Sequence, residues 1–402
     1  MAGFAVRVVH FITTLAVGGA ERMLVKLLRA MDRREFEPMV LTLVDDGHLR
    51  GALAEMGVEV RSLALRRGEV SPRALRRLIS MLRDARPDII QSWMYHPNVA
   101  ASLARPWLPR QTGVVWNIRQ SLYDISKERY LTQAVIRSGR VLAPHADALV
   151  NNSRVSREQH AAIGYLNRRS VVIPNGFESE AFRPDAAARA AFRAELGVDA
   201  SRFVVGIVAR VHPSKDHDLF FRAAERAAEQ DPSLVFVCAG RGTRSHERCR
   251  AAMRGPLKGR LHLLGEREDV PSIMAGLDAL VSSSATEGCP NSVGEAMATG
   301  LPVIGTDSGD TADVIGDAGI VVPCGDGDRL ADEIVRLARH EPGSRAAMGR
   351  AARERIRERY AIEAIAEQYS ELYREIVAER RTQRRTLPAA RREPVAVAAR
   401  AR

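Results

Sequence analysis

Short runs of β-branched residues alternate with amphipathic helical stretches along most of this chain, and half-way along the alternation starts afresh. Strand-then-helix alternation builds mostly parallel sheets with helices on both faces. In the first half strands are expected at 5–11, 39–44, 58–62, 89–91, 114–118, 148–151 and 170–173. A helix at 19–31 puts Met23, Leu24, Leu27, Leu28 and Met31 on one face. The turn-rich Ile173-Pro174-Asn175-Gly176-Phe177 then breaks the pattern, and a polar segment follows to Asp185. The second half runs through strands at 203–208, 234–239, 261–264, 279–282, 303–306 and 319–322, with a helix at 216–229. Helices near 328–340 and 344–379 end the folded part. At 402 residues the chain fits two domains of ordinary size. The expected fold class is α/β, two doubly wound domains facing each other across a cleft. Ligands in such folds sit outside the carboxyl ends of the strands.

Charge points away from a nucleic-acid-binding core. The formal net charge is +11, but residues 380–402 hold eight Arg and one Glu, leaving +4 for everything else. That tail, rich in Ala, Arg and Pro, has too little apolar content to pack and is expected to be disordered. It is either a solvated terminus or a segment drawn to anionic lipid. No apolar run reaches the ~18 residues of a membrane-spanning helix. Arg7 and His10 interrupt the first apolar stretch, which therefore reads as a strand and not as an export signal. Cys238, Cys249, Cys289 and Cys324 show no metal-finger or CxxC spacing, as expected of a reduced, cytoplasmic chain.

The residues with the strongest chemical signal are Glu287-Gly288-Cys289-Pro290-Asn291-Ser292-Val293-Gly294-Glu295. Two carboxylates flank a Gly/Pro/Asn/Ser turn that opens a helix, whose free amides and dipole make an anion site. Ionised carboxylates accept strong hydrogen bonds from ribose or sugar hydroxyls. Ser292-x-x-Glu295 also matches a capping box, in which Glu295 would only satisfy a backbone amide. A second signal, Arg210-Val211-His212-Pro213-Ser214-Lys215, follows the first strand of the second half. Arg offers a fork to phosphate oxygens and Lys a point charge. Lysine stands at only four positions, against 56 arginines, so its use at 215 hints at a need for a compact ammonium. Gly18-Gly19-Ala20-Glu21 after the first strand lets backbone approach a ligand closely, although such turns are also common structurally. His96, in Ser92-Trp93-Met94-Tyr95-His96, follows a strand end and is a candidate cleft residue. Asp45-Asp46-Gly47 reads as a turn rather than a metal cluster.

Together these motifs resemble glycosyltransferase family 4 over roughly residues 5–375. The Glu-x7-Glu stretch with Gly300-Leu301-Pro302-Val303-Ile304 behind it is the most specific mark. The resemblance implies a GT-B fold: residues 1–175 as a Rossmann-like acceptor domain and 176–356 as a Rossmann-like nucleotide-sugar donor domain. Residues 357–379 would form a helix crossing back to the first domain, ahead of the basic tail 380–402. Arg210 and Lys215 would hold the diphosphate, Glu295 the ribose and Glu287 the transferred sugar. Gly18, Gly19, Gly288, Asn291 and Ser292 would contact the donor. Many relatives place a His after the strand at 114–118. Here Asn117-Ile118-Arg119-Gln120 has none, leaving Arg119 or Gln120 for that place and His96 and Arg119 as candidate acceptor or sugar contacts.

The implied activity is a retaining hexosyl transfer, without metal or cofactor, from a nucleotide-diphosphate sugar (UDP favoured, GDP second). A glycan or lipid-linked glycan of surface polysaccharide would be the acceptor. The site would be cytoplasmic, with peripheral contact to the inner face of an anionic membrane through the tail, and no nucleic-acid partner. Cationic groups and helix ends suffice to stabilise the leaving diphosphate. The alternatives are a catalytically silent GT-B nucleotide-sugar binder and a nucleotide-sugar epimerase.

Overall fold

The computed structural model describes residues 5–16, 18–66 and 68–386. The first sheet contains β1 (Val6–Ile12), β2 (Phe36–Thr42), β3 (Glu59–Ser62), β4 (Ile89–Trp93), β5 (Gly113–Ile118), β6 (Ala148–Asn151) and β7 (Ser170–Val172). Its order is β3-β2-β1-β4-β5-β6-β7. The second contains β8 (Phe203–Val208), β9 (Leu234–Ala239), β10 (Leu261–Gly265), β11 (Ala279–Ser282), β12 (Val303–Thr306) and β13 (Ile320–Val322), in the order β10-β9-β8-β11-β12-β13. Every strand pair is parallel. These are two Rossmann-like, doubly wound α/β units, as the sequence pattern predicts.

Both sheets are covered on both faces, which is why their strands read as nearly unbroken apolar runs. In β1, Val8 and Ile12 enter one buried cluster while Val9 and Phe11 enter the other. In β8, Val205 and Ile207 face one cluster and Val204 the opposite one. Each sheet reverses its winding once, between β1 and β4 and between β8 and β11. Loops leaving those four strands diverge there and open a crevice.

The ending differs from expectation. Two helices, Pro342–Arg359 and Ile362–Thr386, replace the single stretch read from the sequence. The chain bends at Tyr360–Ala361 because it pairs there with the inter-domain linker. Phe177 N donates to Tyr360 O at 2.9 Å, and Ile362 N donates to Phe177 O at 3.1 Å. The last helix then lays Ile365, Tyr369, Leu372, Tyr373 and Ile376 into the core of the first sheet. The crossing back thus begins at Ile362, not at 357. Nor does disorder begin at 380: the helix continues to Thr386, and Arg380 Nε donates to Asp147 Oδ1 at 2.7 Å. The remaining 387–402 of the expected tail lie outside the described residues.

Candidate functional site

The loops at the two winding reversals carry most of the residues singled out by sequence. After β8, the ring of His212 caps a single turn at Pro213–Lys215, its Nδ1 accepting from Ser214 N at 3.2 Å. The backbone of this turn is tied to the loop after β11, where Ala285 N donates to Ser214 O at 2.9 Å and Ser283 Oγ to Lys215 O at 2.9 Å. That docking brings Lys215 Nζ onto Glu287 Oε1, which also accepts from Ser284 Oγ at 2.7 Å. The Lys215 and Glu287 side chains are 24% and 10% exposed, so the ion pair is shielded on most sides and open to the cleft. Arg210 is exposed and makes no hydrogen bond or ion pair among the described residues.

The helix Asn291–Ala298 begins after Pro290, which offers it no side-chain cap. The helix Gly19–Ala30 in the other domain is likewise uncapped, because Gly18 has no side chain to give. The two ends meet: a Cβ on Gly19 would stand 3.3 Å from Asn291 Nδ2. Two helix N-termini without N-cap side chains thus converge from opposite sheets; the Glu21 carboxylate folds over one of them onto its own backbone N–H, and the other, at Asn291, keeps its amides and positive potential. Ser292 falls inside its helix and not at the cap, so the capping-box reading of Ser292 and Glu295 does not apply. Glu295 is half-buried, and its carboxylate, unlike its backbone carbonyl, makes no hydrogen bond among the described residues. Burial raises its carboxyl pKa, while the nearby Lys26 and Arg22 pull it back down.

The acceptor-side expectations divide. His96 stands half-buried at the start of the helix Tyr95–Ala104 and opens on the cleft end of β4. Burial lowers its pKa, and Glu128 opposes that. Arg119, expected at an acceptor or sugar, turns inward instead. It is 9% exposed and donates to Ile173 O (3.2 Å), Tyr369 Oη (2.9 Å) and Asn175 Oδ1. Its guanidinium joins the linker to the crossing-back helix, where β5 ends.

Sequence reasoning missed the groups that bind one domain to the other. Ser121 Oγ donates to Glu287 O at 2.5 Å and Tyr123 Oη to the same oxygen at 3.4 Å. Gly309 N donates to Tyr123 Oη at 3.1 Å; a Cβ on Gly309 would stand 2.3 Å from Glu287 O, and its φ is +58°. Gly288 lies so close to Asn152 that a Cβ would meet its amide at 3.0 Å. Asp310, 8% exposed, accepts from Arg154 N (2.7 Å) and Val155 N (3.2 Å) at the start of the helix Arg154–Ala162. None of these contacts has a local motif.

The chain matches the description "Glycosyltransferase Family 4" over residues 17–181 and "Glycosyl transferases group 1" over 202–340. With the two matches spanning both halves, it is a glycosyltransferase of the group 1, family 4 type. This glycosyltransferase is 29% identical over 347 residues to the 2-deoxystreptamine N-acetyl-D-glucosaminyltransferase of Streptomyces fradiae, covering 77% of this chain and 80% of that one. It is 37% identical over 136 residues to the UDP-Gal:alpha-D-GlcNAc-diphosphoundecaprenol alpha-1,3-galactosyltransferase of Escherichia coli, covering 33% and 35% of the two chains. Among solved structures, Anabaena HepE in complex with UDP superposes with a TM-score of 0.78 at 21% identity, covering 91% of this chain and 98% of HepE. At that identity the likeness establishes the GT-B fold of the glycosyltransferase.

Proposed function

We propose that this glycosyltransferase moves a hexose from a UDP-sugar, with a GDP-sugar the second choice, to a glycan or lipid-linked glycan of surface polysaccharide, with retention and without a metal. The observation that carries the reading is the Lys215–Glu287 pair at the mouth of two uncapped helix ends. Arg210 and Lys215 and the free amides of Asn291 and Ser292 suit a diphosphate. Glu295 suits the ribose and Glu287 the sugar hydroxyls, with Gly18, Gly19 and Gly288 admitting the donor's backbone-close atoms. The anomeric C–O bond to the diphosphate breaks as the acceptor oxygen attacks from the same face. The acceptor's proton passes to the departing diphosphate, whose charge the cations and helix ends stabilise.

The UDP choice takes support from the UDP named for HepE and the UDP-Gal named for the Escherichia coli relative. That relative's diphosphoundecaprenol acceptor supports a lipid-linked one here. No helix among the described residues is long and apolar enough to cross a membrane. Contact with the inner face would then be peripheral, with the basic C-terminal segment contributing charge. Thermal stabilisation by UDP, GDP and ADP tests the donor reading. UDP should raise the melting temperature most, and Lys215→Ala should remove most of that gain. Equal indifference to all three nucleotides would defeat it.

A further inference from the structure

Val70, Tyr130 and Leu131 are 86%, 89% and 60% exposed, although such side chains ordinarily seek cover. They come from two distant segments: the loop ahead of the helix Pro72–Ala85, and the first turn of the helix Tyr130–Leu142. The segments meet, since Leu131 Cδ1 lies 3.6 Å from where a Cβ on Gly68 would stand. Both follow strands at their carboxyl ends, on the rim of the cleft. The arm leading to Tyr130 carries Gln120, whose Nε2 donates to Tyr95 Oη and Glu128 Oε1 at 3.4 Å each, beside His96. The apolar collar therefore borders the acceptor side of the cleft.

Cationic groups lie alongside. Arg73, Arg76 and Arg77 stand exposed on one face of the Pro72–Ala85 helix, at the spacing of neighbours on a helix surface. Arg129 is exposed next to Tyr130. None of the four has a carboxylate partner among the described residues. Unpaired arginines beside protruding aromatic and aliphatic side chains complement a surface that is anionic outside and apolar within.

We propose that this collar docks the protein on an anionic lipid bilayer. Val70, Tyr130 and Leu131 enter the boundary between headgroups and acyl chains, and the four arginines meet lipid phosphates. The cleft then opens at the bilayer surface, where a lipid-linked acceptor presents its sugar. This deepens the lipid-linked acceptor reading and rests on it.

The test is flotation of the full chain with protein-free vesicles, one set of phosphatidylcholine and one of equimolar phosphatidylcholine and phosphatidylglycerol. The protein should float with the mixed set and far less with the neutral one. Replacing Val70, Tyr130 and Leu131 together by Ser should weaken partitioning by about tenfold or more, as for loss of buried apolar groups at an interface. Arg73→Gln, Arg76→Gln and Arg77→Gln together should sharply reduce the preference for phosphatidylglycerol. Val141→Ser with Leu166→Ser, exposed apolar sites elsewhere on the same domain, should change nothing. A chain ending at Thr386 should still bind. Wild-type binding by the collar variant, no vesicle binding by the native chain, or binding lost on truncation alone would each overturn the proposal. Stabilisation by UDP, measured on the same variants, should be unaffected, so failure of the donor reading shows separately.

Discussion

Replacing Asp310 by Ala should loosen the grip between the two domains. Its carboxylate accepts two backbone N–H groups at 2.7 and 3.2 Å, both from the first turn of a helix in the opposite domain. Charge-assisted bonds of this kind contribute about 1.5–3 kcal/mol each when removed. Opposing that is the cost of burying the carboxylate, which is real: burial raises the Asp310 pKa in spite of both amide donors. Opening also lets the freed amides reach water. The balance is about 2 kcal/mol in favour of closure, a factor of about 30 in the closed-to-open ratio. Asp310→Asn keeps a neutral acceptor and should cost about 1 kcal/mol, near fivefold. Single-molecule energy transfer between dyes at the exposed positions Glu55 and Glu229, with the exposed Cys324 replaced by Ser, would count the two populations. Donor turnover should fall with the closed fraction. An Ala variant whose open population stays within twofold of wild type refutes the latch.

Four further outcomes follow from the site and the core. Glu295→Gln should chiefly raise the donor KM, because ribose contacts change little along the reaction, whereas Glu287→Gln and Lys215→Ala should lower kcat by about 10²-fold; unchanged constants for both of the latter would sink the site. Transfer should survive excess EDTA, and loss of activity rescued by manganese would contradict the proposed chemistry. His10 and His160 are held at about 3 and about 4 by burial, against 6.5 for a free imidazole, so the unfolded chain takes up protons first. Stability should therefore hold above pH 6.5 and fall between pH 6.5 and about 4, by roughly 2–4 kcal/mol for His160; a melting temperature flat across that window, or a drop of equal size in His160→Gln, would contradict it. Finally, truncation after Glu379 should lower the melting temperature by a few degrees through loss of the Arg380–Asp147 pair, at about 1 kcal/mol, while truncation after Thr386 should not; equal effects would refute the Arg380 anchor.

The strands were legible because burial on both faces leaves little but Val, Ile, Leu and Phe in them, and β6, β8, β9, β11 and β12 fall where the pattern places them. The meeting of Lys215, Glu287 and the uncapped helix start at Asn291 was legible because they lie in short stretches whose chemistry is local. Groups acting across the cleft were not. Tyr123 and Glu287 are 164 positions apart, and nothing around Tyr123 marks it as a ligand of that carbonyl. Nor were the partners of Arg119: its place after β5 suggested the cleft, whereas its guanidinium donates inward to Tyr369, 250 residues later. The bend at Tyr360 was hidden too, since helix-forming residues flank it on both sides and only the pairing with Phe177 interrupts them.

The last helix also sets the order in which this protein can be made. Its side chains Ile365, Tyr369, Leu372, Tyr373 and Ile376 fill the core against β1, β4 and β5, which are among the earliest segments to leave the ribosome. Part of one face of the first sheet, beyond what Met23, Leu24, Leu27 and Leu28 of the helix Gly19–Ala30 cover, therefore has no native cover until Ile362–Thr386 has been synthesised. Domains ordinarily fold in turn as they emerge, and exposed apolar sheet is prone to stick to its neighbours. Here the first-made half waits for the last-made helix, so the second half can mature on the ribosome before the first. During that interval the nascent chain offers a chaperone a face lined by Val8, Ile89 and Val115.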